Sequence, residues 1–266
     1  MSEMYNQIME LFGSCQEKNI SLAEQLIEGQ GIDKWDFLEH LQLVRLFTGR
    51  NKVMEFDKGG VTVWEAFLNT CKSGLLIKYA FSYEEESLNI EPIKHFRGLN
   101  ELQLCNAEPE KPINLAPISH LRSLKRLYIG YSTRDIQPAV LSPENQIDLS
   151  PLAGLPNLER LEIDKLNVRD ISVIETLPNL KQLHIVGCRR IKSFSPLKAC
   201  KKLEFLRYSY PWGVVRNNTF LQFSFDEKIQ KMVPHECYPC RLDYTVEHLY
   251  IDKPRQPRIA KRNNAR

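Results

Sequence analysis

His235, Cys237, Cys240 and His248, within HECYPCRLDYTVEH, have the residue types and spacing best suited to metal chemistry. Two cysteines separated by two residues form a common zinc half-site, and histidine nitrogens can complete a tetrahedral set. A repeat in the chain supplies a competing assignment. Carried back from Val246, its register puts Cys237 and Cys240 in apolar core slots. A buried free cysteine packs as a small hydrophobe, so these thiols are expected to hold no metal, and no cofactor is expected. Nothing else suggests catalysis. The chain has no G-x-x-x-x-G-K-[ST], G-x-S-x-G or H-E-x-x-H and no glycine-rich dinucleotide turn. The expectation is a non-enzyme without a small-molecule substrate.

That repeat defines the elements that would position any site. LPNLERLEI, residues 155–163, returns as LPNLKQLHI, residues 177–185. Extended backwards, the pattern is Φ-x-x-Φ-x-x-Φ-x-x-Φ-x-x-Φ-x-Φ, with Φ apolar. Copies start at Ile90, Leu115, Leu149, Ile171 and Phe194 and close at Leu104, Ile129, Ile163, Ile185 and Tyr208. The closing Φ-x-Φ has period two, so both side chains face one side of a short strand. The i, i+3 spacing before it suits 3₁₀-like turns. Pro92, Pro117, Pro151 and Pro196 sit within that stretch, where they argue against a continuous α-helix. One coil cannot bury its own apolar stripe, but stacked coils bury each other's.

These residues resemble leucine-rich repeats, in particular the bacterial internalin-like form of about 22 residues per coil. The resemblance spans roughly residues 89–252. It implies an α/β solenoid, with short parallel strands on the concave side and 3₁₀ or irregular turns on the convex side. Residues 131–146 lengthen one coil and are expected to form a surface loop.

The ends depart from the register. Residues 1–49 read as a helical N-terminal cap covering the open apolar end of the stack. Met4, Ile8, Leu11 and Phe12 have helical spacing. Ser21 and Glu24 form a capping-box pattern before the apolar residues Leu22, Ala23, Leu26 and Ile27. Asp33 is placed to cap a third helix carrying Phe37, Leu38, Leu41 and Val44 and ending near Gly49. Residues 50–88 are expected to hold a hairpin, VMEF–DKGG–VTVW, and the junction to the first coil. Trp64, Phe67 and Leu68 would pack in that junction, and residues 75–81 would form an opening strand. Farther on, residues 220–225 offer a degenerate coil, and Val246, Leu249 and Ile251 a last strand.

Composition bounds the setting. The 266 residues show no signal-peptide pattern at the start and no run of about 18 apolar residues. A membrane partner is therefore not expected. Seven scattered cysteines fit reduced thiols in a cytosol. Residues 253–266 form a basic tail of six Lys and Arg with no acidic residue, expected to be disordered. Those six charges exceed the net +3, so residues 1–252 carry a net −3.

The register turns these residues outward on the concave face: Glu101, Gln103, Cys105; Arg126, Tyr128, Gly130; Arg160, Glu162, Asp164; Gln182, His184, Val186; Phe205, Arg207, Ser209; and His248, Tyr250, Asp252. Aromatic and arginine side chains dominate binding hot spots, and charges of mixed sign suit a protein surface. The candidate protein-binding residues are Arg126, Tyr128, Arg160, Glu162, Asp164, Gln182, His184, Phe205, Arg207, His248, Tyr250 and Asp252. The expected function is a non-catalytic protein-binding module of the bacterial cytosol, as an adaptor or immunity protein. The second reading is nucleic-acid binding through the tail.

Overall fold

The structure, a computed structural model, describes residues 2–47, 63–80, 90–106, 113–131, 146–188, 190–191, 193–209 and 242–245. Helix α1 (Ser2–Gly13) buries Tyr5, Ile8, Met9 and Phe12, a single helical stripe. Helix α2 (Glu17–Gly29) buries Ile20, Ala23 and Ile27. This corrects the capping-box expectation: the N-cap of α2 is Gln16, five residues before Ser21, and Ser21 lies inside the helix. Leu22 and Leu26 consequently fall on the outer face, 46% and 36% exposed.

Asp33 does cap helix α3 (Lys34–His40), its carboxylate accepting the N–H groups of Trp35 and Asp36 at 2.9 Å. The apolar period through Val44 does not form one helix. Gln42 is left-handed at φ 58°, and a separate turn, α4 (Val44–Phe47), follows. The VTVW arm of the expected hairpin is corrected too, because Val63 and Trp64 open helix α5 (Val63–Ser73). Apolar residues at 64, 67, 68 and 71 share one helical face, with Phe67 and Cys71 fully buried. Residues 51–62 lie outside the described residues.

Among the described residues seven strands make one sheet in sequence order: β1 (Leu75–Ala80), β2 (Glu101–Asn106), β3 (Arg126–Tyr131), β4 (Arg160–Asp164), β5 (Gln182–Val186), β6 (Phe205–Ser209) and β7 (Leu242–Thr245). The first six are parallel, with Leu76, Leu102, Leu127, Leu161, Leu183 and Leu206 in register. A five-residue 3₁₀ turn precedes each of β2 to β6, with proline in its first positions in four of five. Every repeat position whose side chain is described is at most 4% exposed. This is the leucine-rich-repeat solenoid that the register implied.

Two hydrogen-bonding devices fix the pitch, the first with side-chain oxygens as acceptors and the second with backbone carbonyls. Asn114, Asp148, Asp170 and Ser193 each accept the N–H two residues ahead, at 2.8 to 3.1 Å, and so start a 3₁₀ turn. At the strand entrance one carbonyl serves two N–H groups of the next coil. Gly74 O does so for Asn100 and Glu101, Asn100 O for Lys125 and Arg126, Lys125 O for Glu159 and Arg160, Glu159 O for Lys181 and Gln182, and Lys181 O for Glu204 and Phe205.

The ladder starting at Gly74 makes β1 the strand of a coil in which α5 replaces the 3₁₀ turn. The helices close that end. Phe67 packs between Phe12 and Phe96, with centroids at 5.0 and 6.0 Å. Gly98 N–H donates to Gly13 O at 2.7 Å. At the other end β7 runs antiparallel to β6, pairing Asp243 with Arg207. Among the described residues the parallel progression therefore stops at β6. The expected last strand at 246–251, the coil at 220–225, Cys237 and Cys240, positions 132–145 of the loop and the basic tail lie outside the described residues.

Candidate functional site

Parallel pairing without offset sets the outward residues in rows across the concave face, strands about 4.8 Å apart. The first row is Glu101, Arg126, Arg160, Gln182, Phe205, and the second Gln103, Tyr128, Glu162, His184, Arg207. Cys105, Gly130, Asp164, Val186 and Ser209 make the third. The rows bring together the candidate residues of β3 to β6. His248, Tyr250 and Asp252 lie outside the described residues.

The rows are joined by ionic and hydrogen-bonded contacts. Arg126 Nε donates to Glu101 Oε2 at 2.6 Å, and Nη2 lies 2.6 Å from the same oxygen. Gln103 Nε2 donates to Glu101 Oε1 at 2.9 Å. Arg160 Nε donates to Glu162 Oε1 at 2.6 Å, and Glu162 Oε2 lies 3.7 Å from His184 Nδ1. His184 stacks at a tilt on Phe205, centroids 5.0 Å apart. The Tyr128 hydroxyl donates to Asp164 Oδ2 at 3.3 Å. Its ring reaches there across Gly130, where a Cβ would lie 2.6 Å from the Tyr128 oxygen and 2.8 Å from Asp164 Cβ.

Not every residue of the rows is open. His184 is only 7% exposed and Cys105 9%. His184 thus supports Phe205 and Glu162 and presents little surface itself, a correction to its place among the exposed contacts. Glu101 and Gln103 also face outward in the register, but they are neither aromatic nor arginine and so lack the hot-spot signal in sequence. They complete the network and line a depression of about 540 Å³ with Tyr128, Arg160 and Glu162.

The electrostatics suit recognition. Burial raises the pKa of the Glu101 carboxyl, but hydrogen bonds from Gln103 and Arg126 and the nearby Arg160 charge outweigh it, so Glu101 titrates below its ordinary range and stays ionised. Burial, reinforced by Asp164, pushes the Tyr128 hydroxyl well above its ordinary value, keeping it a donor. Burial and Asp164 also push the Cys105 thiol up. A thiol so shifted is a poor nucleophile. Among the described residues no group of three or more His, Cys, Asp and Glu is placed to hold a metal ion. No described helix is long and apolar enough to cross a membrane.

Residues 89–210 match the family model of the R13L1/DRL21 LRRs. No curated protein matches the chain. Among solved structures, internalin C2 of Listeria monocytogenes is 25% identical over 55% of this chain and 55% of its own, with a TM-score of 0.37. An internalin of the same organism, InlF, is 24% identical over 48% and 46%, with a TM-score of 0.25. The functional domain of InlJ from L. monocytogenes is 14% identical over 52% and 35%, also at 0.25. The chain thus spans about half the length of internalin C2 and less of the other two.

Proposed function

The chain carries a leucine-rich-repeat solenoid, and from that premise we propose that it is a non-catalytic protein-binding module of the bacterial cytosol, docking its partner on the concave sheet. The observation that carries this reading is the alignment, on adjacent strands, of an ionic network beside a His184–Phe205 aromatic pair. Arg126 and Arg160 side chains stand 59% and 39% exposed there. Directed donors next to apolar area are the ingredients of a protein hot spot. Free thiols at Cys15, Cys71, Cys105, Cys188 and Cys200 support the cytosolic part. An adaptor or an immunity protein are the two roles this module fits, and a neighbouring toxin gene would point to the second.

The test begins with a partner captured from native lysate and identified. Tyr128→Ala is expected to cost about 2 kcal/mol of its binding, roughly a thirtyfold weaker Kd. The same substitution should leave the melt nearly unchanged, and alanine substitutions in the 131–146 loop should cost much less. Loop variants that abolish binding while Tyr128→Ala binds normally would move the site to the loop.

A second reading, nucleic-acid binding, rests on the six basic residues at 253–266. Phosphate-led binding falls steeply with added salt, whereas a mixed protein interface responds less. Removing residues 255–266 is expected to change partner affinity less than tenfold, about 1.4 kcal/mol. A larger loss, with a steep salt slope lost in the truncated chain, would favour this second reading.

A further inference from the structure

The donors and acceptors left open on the concave face indicate what the bound partner presents. Both oxygens of Glu101 are engaged, one by Gln103 and one by Arg126. Glu162 has one oxygen on Arg160 and the other facing His184. Asp164 accepts from Tyr128. The acceptors nearest the depression are thus largely used by neighbours, and the Glu101 and Glu162 side chains lie 21% and 28% exposed.

The guanidiniums are in the opposite position. Each has five N–H donors. Arg160 uses Nε on Glu162, leaving both Nη groups for a partner, and Arg126 uses Nε and Nη2 on Glu101, leaving Nη1. Both side chains stand farther out than the carboxylates that hold them. The two arginines are register partners on β3 and β4, one strand spacing apart, and their ion pairs have already fixed the side chains, which lowers the entropy lost when they bind.

We infer that the depression receives a carboxylate side chain, an Asp or Glu of the bound polypeptide, between Arg126 and Arg160; this rests on the binding role proposed for the concave face. A carboxylate offers several lone-pair sites to the leftover donors and makes charge-assisted hydrogen bonds, about twice as strong as neutral ones. A lysine or arginine of a partner would meet donors at the surface and acceptors already occupied beneath them.

The test uses the full chain and a random-peptide display library. Enriched peptides, resynthesised with amidated C-termini so that no terminal carboxylate competes, are expected to share one acidic position. Replacing it by its amide, Asp→Asn or Glu→Gln, should weaken binding to the wild type roughly tenfold or more. The protein variant R126Q/R160Q should bind acid and amide peptides about equally, removing the coupling measured by the double-mutant cycle. R126K/R160K keeps both charges but loses the fork. It should discriminate less than the wild type while melting like it, which controls for unfolding of the glutamine variant. Enriched peptides that bind as well with the amide, or whose discrimination survives in both double variants, would overturn the carboxylate while leaving the concave face as the site. Peptides whose binding ignores Tyr128→Ala as well as both arginine variants would overturn the concave face itself, and the carboxylate with it.

Discussion

Deleting residues 1–49 is expected to turn a protein with one cooperative melt into one that aggregates. Phe67, fully buried in α5, touches Phe12, Phe37 and Phe47, with centroids at 5.0, 6.4 and 5.8 Å. All three rings lie in the deleted segment. Phe96, the aromatic core residue of the next coil, would lose Phe47 at 6.0 Å. Exposing a buried phenylalanine costs about 1.5–3 kcal/mol. Baring both of these rings would consume much of the about 5–15 kcal/mol that holds a domain together. The freed surface is an apolar solenoid end, which is why terminal repeats need a polar cover. Size-exclusion chromatography and a thermal melt of the truncated chain decide the matter. A monomeric product melting at the temperature of the full chain would show that the helices are an independent appendage.

The solenoid was legible because its physics is local. A six-slot apolar register fixes which side chains face inward, and proline in mid-pattern excludes a helix. The described members of the register, from Ile90 to Leu206, are buried accordingly. The helical cap was legible in its apolar content and in Asp33, which caps α3, but not in where α2 begins. Ser21 and Glu24 carry a helix-start signal, yet α2 starts at Glu17 because the buried stripe Ile20, Ala23 and Ile27 decides the phase. Apolar period alone could not reveal that Gln42 turns left-handed between Leu41 and Leu43. The β-branched VTVW suggested a strand, and at Val63 and Trp64 tertiary burial of Phe67 and Cys71 in a helix overrode that preference.

The concave rows were legible for the same reason as the core, since alternation places every second residue outward. Their pairing was not. Arg160 has Glu162 on its own strand and Glu101 on β2 as acidic neighbours, and the rotamer chooses between them. Nor could alternation show that His184 would be covered by Phe205 and Glu162, because burial on an outward row depends on the size of its neighbours.

Gly98→Ala is expected to destabilise the protein more than any exposed substitution in the solenoid. A Cβ at position 98 would lie 1.9 Å from Ser14 O, 2.3 Å from Ser14 C and 2.9 Å from Cys15 N. All three are backbone atoms, so no side-chain rotation relieves the overlap. The turn they belong to is also held in place. Ser14 N–H donates to Glu10 O and Leu11 O, Ser14 Oγ donates to Leu11 O at 2.7 Å, and Asn19 Nδ2 donates to Ser14 Oγ at 3.0 Å. Relief therefore requires the α1–α2 turn to move off the first coil, which breaks the 2.7 Å bond from Gly98 N–H to Gly13 O. Overpacking costs typically about 1–3 kcal/mol and sometimes more, and a lost buried hydrogen bond adds about 1 kcal/mol. A total near 3 kcal/mol corresponds to a Tm lower by roughly 6–12 °C for a chain of this size. Gly29→Ala is the control. Nothing lies within 4 Å of its added methyl, and alanine in a helix loses less entropy than glycine, so its melt should be unchanged or slightly raised. Equal melting temperatures for the two variants would mean that α1 and its turn do not press on the first coil, and the cap would then be held by its phenylalanines alone.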